Sequence, residues 1–161
     1  MTAKSVDPNG GSEKCPHYCL DSEVPPIVGL PCSGFHLQRL RDDNRTTDPA
    51  HILHLKFGEV WYRFFIESTL PICIAGGETS DDGYDYVVDA EQLDELSAAF
   101  PLGDTLVALA AANVGQEVQI TFEFANQCIV ILRKDINETW CELVIEHADG
   151  RATRTKGPQE E

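Results

Sequence analysis

Residues 117–124, EVQITFEF, alternate without a break. Val118, Ile120, Phe122 and Phe124 fall on one side, and Glu117, Gln119, Thr121 and Glu123 on the other. A strand sends successive side chains to opposite faces, so this pattern predicts a strand with one buried face. HILHLKF and VWYRFFIE flank Gly58-Glu59 and predict a β-hairpin with a two-residue connection. LPICIA predicts a third strand, and Tyr86 to Val88 a short one. After the turn ANQ, CIVILRK is almost wholly apolar, as a central strand is. ETWCELVIEH and RATRT extend the same run into a C-terminal meander.

Two stretches follow a helical period. Asp89 is a good N-cap with Gln92 three residues on; Leu93, Leu96 and Phe100 follow at helical spacing, and Pro101 ends the run. Asp104 caps a second predicted helix, the Ala-rich LVALAAAN, which Gly115 terminates. FHLQRLR, residues 35–41, predicts one further short helix. Strands, then two helices, then strands predict an α+β fold: an antiparallel sheet, built from the N-terminal hairpin and the C-terminal meander, with two consecutive helices on one face.

The expected organisation is a disordered tail over 1–14, a Cys- and Pro-containing segment and linker over 15–49, a single α+β domain over 50–156, and a frayed end over 157–161. At 161 residues the chain is of single-domain size. The longest apolar run is too short to span a bilayer, and the first 25 residues have no signal-peptide core, so a cytoplasmic protein is expected.

Charge narrows the function. There are 27 acids against 12 bases, a net −15, and between Phe64 and Leu132 there are twelve acids and no Lys or Arg. Such a field opposes direct binding to nucleic acid or an anionic membrane and speeds encounter with basic partners.

Cys15, Cys19, Cys32 and His36 are spaced C-x3-C-x12-C-x3-H, two ligand pairs joined by a loop, which suits tetrahedral structural zinc, with His17 as a substitute ligand. The other readings of the same residues are a disulfide, or four unrelated side chains. Pro25 and Pro26 break the second element of a nucleic-acid-reading finger. Cys73, Cys128 and Cys141 sit in apolar runs and read as core. Glu78, Asp81, Asp82 and Asp85 form an acidic loop, better suited to a basic partner than to calcium, since the ligand alternation of a calcium loop is absent.

Alternation along the strands also places Trp61, Arg63, Phe65 and Trp140 away from the core face, where aromatic residues and Arg serve as interface anchors. The sequence contains no G-x-S-x-G, no H-E-x-x-H and no Gly-rich phosphate loop. The leading expectation is a non-enzymatic acidic binding module, of inhibitor, immunity or adaptor type. It docks a basic partner through Trp61, Phe65, Trp140, Glu78, Asp81, Asp82 and Asp85. The competing expectation is a zinc-stabilised regulatory protein or metal-dependent enzyme centred on the Cys/His cluster. The pattern does not decide between a monomer and a homo-oligomer, and a ligand cavity between layers is a third reading.

Overall fold

The computed structural model describes residues 17–42, 45–76 and 90–155. The described residues form ten strands and one helix: β1 (His17–Cys19), β2 (Cys32–Asp42), β3 (Arg45–Phe57), β4 (Val60–Glu67), β5 (Leu70–Ala75), α1 (Ala90–Ala99), β6 (Leu106–Val114), β7 (Glu117–Phe124), β8 (Ile129–Asp135), β9 (Glu142–Glu146) and β10 (Ala152–Arg154). They make two five-stranded antiparallel sheets, the first in the order β1-β5-β4-β3-β2 and the second β10-β9-β8-β7-β6. The α+β expectation is therefore wrong. The layer that buries the core face of the first sheet is a second sheet, not a pair of helices.

Two bulk features make this possible. The alternating strands carry one apolar face each, and the two apolar faces bury one another, with β5 meeting β7, β4 meeting β8 and β3 meeting β9. Phe64 of β4 meets Phe122 of β7 edge to face, ring centroids 4.8 Å apart, at the middle of this layer. Leu53, Leu55, Phe57, Ile120, Val130, Leu132, Leu143 and Ile145 complete it, all almost fully buried. Burying one such side chain contributes about 1.5–3 kcal/mol, and these contributions hold the two faces together.

The second predicted helix is a strand. LVALAAAN forms β6, paired antiparallel with β7. A bulge between Leu106 and Ala108 inserts one extra residue, so Leu106 and Leu109 both reach the core although they stand three apart. That spacing imitates a helix. Gly115 has φ +62°, the left-handed conformation that ends a helix or turns a hairpin, and here it turns β6 into β7. Asp104 caps no helix: its carboxylate accepts from the Asn126 amide at 2.8 Å. The short helix expected over 35–41 is also absent. Those residues lie in β2, where register shifts at Gln38/Leu40 and Leu40/Arg41 break the alternation.

α1 is the helix that the sequence predicts after Asp89, although Asp89 itself lies outside the described residues. Its last turn sends Leu96 into the core, and Phe100 follows, stacking on Phe35 of β2 at 4.5 Å and meeting Phe124 of β7 at 5.8 Å. The predicted hairpin is β3–β4, and the meander is β7 to β10.

The expected domain boundary at residue 50 falls inside β3. The Pro-containing stretch before it belongs to the sandwich: Ile27 and Leu20 are core residues. Gly29 N–H donates to Leu106 at 2.7 Å, Leu106 N–H to Leu30 at 3.0 Å, and Cys32 N–H to Asp104 at 3.0 Å. The tails expected over 1–14 and 157–161 and the strand expected at Tyr86 lie outside the described residues.

Candidate functional site

The zinc expectation fails on topology. β1 and β2, which carry Cys19 and Cys32 with His36, are the two opposite edges of the first sheet, with three strands between them. Each step between strands is about 4.8 Å, whereas zinc needs sulfur at about 2.3 Å. Among the described residues no group of three or more His, Cys, Asp or Glu could hold a metal ion. Cys15 lies outside them. Cys32 is buried, its thiol donating to the Gly34 carbonyl at 3.3 Å, and burial pushes its pKa up to about 11. Cys19 is exposed, and its thiol donates to Asp21 Oδ1 at 3.1 Å. His17 is exposed on β1. The five described cysteines are all free.

The outer face of the first sheet carries more chemistry than its edges. The strand register sets His36, His54, Arg63, Ile74 and His17 in one row across all five strands. His54 is buried there, its Nε2 2.9 Å from Gln38 Oε1, and Gln38 is buried as well. Trp61 lies on the same face, packed over Gly34, where a Cβ would stand 2.6 Å from Trp61 Cη2. The glycine is there because the indole lies across it.

From this face a cleft of about 850 Å³ runs round the end of the sandwich to the β8–β9 connection. Ile52, Arg63, Phe65 and Ile74 line it from the first sheet, and Lys134, Ile136 and Glu138 from the second. Its floor is organised by Asp48. This carboxylate is almost fully buried, and it accepts from Cys141 N–H at 2.8 Å and Ala50 N–H at 3.3 Å. Its other oxygen lies 3.0 Å from His51 Nδ1. A carboxylate so held fixes the imidazole's orientation, the arrangement that positions a general base. The neighbouring thiol does not complete a nucleophilic pair: burial, with the Asp48 charge beside it, raises the Cys141 pKa to about 12 and keeps it protonated.

Of the expected partner-binding residues, Phe65 lines the cleft. Trp140 is next in sequence to the lining residues Thr139 and Cys141, and its indole N–H donates to Glu138 Oε1 at 3.1 Å. Trp61 sits further along β4. Glu78, Asp81, Asp82 and Asp85 lie outside the described residues. The expected alternation of β4 holds from Trp61 to Ile66, with Tyr62, Phe64 and Ile66 inward and Trp61, Arg63 and Phe65 outward, but Val60, of inward parity, is exposed. On β9, Val144 is buried although its parity points it outward. Asp48 and His51 stand out by no motif, because Asp48 meets Cys141 across 93 residues of chain. Among the described residues no helix is long and apolar enough to cross a membrane. Comparison with known protein families, with curated proteins and with solved structures finds no match for this chain.

Proposed function

We propose that this chain is a non-enzymatic binding protein that docks a more basic protein at the rim of the cleft. The observation that carries the reading is the cleft opening, where Phe65 of β4 is a lining residue and Trp140 is next in sequence to the lining residues Thr139 and Cys141, in a chain of net charge −15. An aromatic residue held on a strand, as Phe65 is, makes a preorganised anchor at little cost in side-chain entropy. Exposed Glu67 at the same rim adds to the acidic field that steers a basic partner into place. Inhibitor, immunity and adaptor proteins act in this manner, and a cytoplasmic site of action is part of the proposal.

The test is capture by the immobilised protein at low and high salt, with the bound proteins identified by mass spectrometry. The expected set is dominated by basic proteins, weakens as salt screens the field, and is lost in a Phe65→Ala, Trp140→Ala variant that retains its circular dichroism spectrum. An unchanged set in that folded variant would sink the reading.

A further inference from the structure

We infer that the cleft is a binding site for a small amphipathic monocarboxylate, with the Arg63 guanidinium as the anion receptor. Arg63 is partly buried and lines the cleft, its Nε is wholly removed from solvent, and it has neither a hydrogen bond nor an ion pair among the described residues. In a chain with more than twice as many acids as bases, Arg63 has no acidic partner among the described residues. Burial of a charged group is costly unless a counter-charge and hydrogen-bond acceptors are supplied. The described residues do not supply them, so a ligand can.

The three carboxylates of the same cleft show why none of them serves. Asp48 is already engaged by two backbone amides and His51. Glu138 accepts from the Trp140 indole. Glu67 is four residues along the strand from Arg63, about 13 Å away at the rise of a strand, and is exposed at the rim. The other cation of the cleft, Lys134, donates to the Ser68 carbonyl at 3.0 Å. Arg63 presents its donors in a fixed fork that matches a carboxylate with two parallel hydrogen bonds, which the ammonium of Lys134 does not.

The surroundings select the rest of the ligand. Ile52, Phe65, Ile74 and Ile136 give the cleft apolar walls, and about 850 Å³ lies within the range of small-molecule sites. Asp48 and Glu138 line the same cleft and oppose a multiply charged anion more than a singly charged one, so a single charge on an apolar body fits better than a phosphate. The inference stands apart from the docking proposal, because it rests on Arg63 and not on Trp140 or the acidic field.

The probes are octanoate and 3-phenylpropionate, with octan-1-ol and 3-phenylpropan-1-ol as uncharged counterparts and inorganic phosphate as the multiply charged anion. Binding is followed by calorimetry and by the Arg63 Nε–H signal in a proton–nitrogen NMR spectrum of the full chain. The expected result is that a carboxylate binds and shifts that signal, the alcohols and phosphate bind at least about tenfold more weakly, and Arg63→Gln loses about tenfold or more in affinity. Arg63→Lys, which keeps the charge and loses the fork, is expected to fall between them. Should either variant fail to fold, the wild-type Nε–H shift and the acid-against-alcohol comparison decide alone. No binding of either carboxylate, equal binding of acid and alcohol, tighter binding of phosphate, or undiminished binding to folded Arg63→Gln would each overturn the inference.

Discussion

Asp48 Oδ1 accepts the Cys141 amide hydrogen at 2.8 Å, and this single bond ties the start of β3 to the start of β9 across the two sheets. The same carboxylate caps the Ala50 amide and holds His51. Asp48→Ala leaves the Cys141 and Ala50 amides without their acceptor in a buried setting, which costs about 2–4 kcal/mol. Asp48→Asn keeps one acceptor oxygen and is expected to lose less. Urea denaturation of the two variants checks the order, and equal stability of Asp48→Ala and wild type would contradict it.

Trp61 and Gly34 form a second coupled pair. A methyl group at position 34 meets Trp61 Cη2 at 2.6 Å and Lys56 Cβ at 2.9 Å. Gly34→Ala is therefore expected to destabilise by about 1–3 kcal/mol through overpacking. The penalty is expected to shrink in a Trp61→Ala background, because the closest obstacle is gone. A double-mutant cycle reads this directly as a coupling of about 0.5 kcal/mol or more, and additivity would refute the contact.

The strand identity of β6 can be tested on its exposed side. Ala110 is exposed and stands opposite Thr121. Ala110→Thr replaces the best helix former with a β-branched residue and adds a cross-strand pair, expected to contribute about 0.2–1 kcal/mol in a strand. In a helix the same change destabilises. A rise in melting temperature supports β6, and a fall opposes it.

Cysteine chemistry gives the pH dependence. Burial raises the thiols of Cys32 and Cys128 to about 11 and that of Cys141 to about 12, whereas an unfolded thiol ionises near about 8.5. Between those values the unfolded chain has fewer bound protons than the folded one. The stability conferred by these neutral thiols is therefore full below about pH 8.5 and is lost as pH rises through about 11–12. Denaturation midpoints measured from pH 7 to 10 are expected to fall, and less steeply after Cys141→Ala relative to its own value at pH 7.

Cys19 behaves differently because it is exposed. Its hydrogen bond to Asp21 and the charge of that carboxylate hold the thiol above its usual pKa. Asp21→Asn removes the charge, so labelling of Cys19 by a thiol reagent at pH 7.5 is expected to speed up in a Cys15→Ser background. The buried thiols react only on unfolding. An unchanged Cys19 rate would remove Asp21 from the account.

Strands whose alternation is unbroken, such as β4, β7 and the second half of β3, were legible in the chain, because a period of two is imposed locally by the backbone and needs no partner. The outward placement of Phe65 and Arg63 follows from the same rule. Where a bulge interrupts the alternation, the signal inverts. Leu106 and Leu109 stand three apart, and with the alanines around them they present a helix on every local criterion. Pairing with β7 outweighs that preference, because a propensity difference of a few tenths of a kcal/mol per residue is small against a row of sheet hydrogen bonds and two buried leucines. The Cys/His spacing misled for a related reason: closeness in sequence says nothing about which edge of a sheet each strand will occupy. The sequence alone therefore determined which residues alternate, the Gly58 turn, and the acidic charge. The stacking of two sheets, the clasp of Asp48 on Cys141 and the cleft that isolates Arg63 were decided by the tertiary structure, since each depends on groups that only long-range packing brings within a few ångströms.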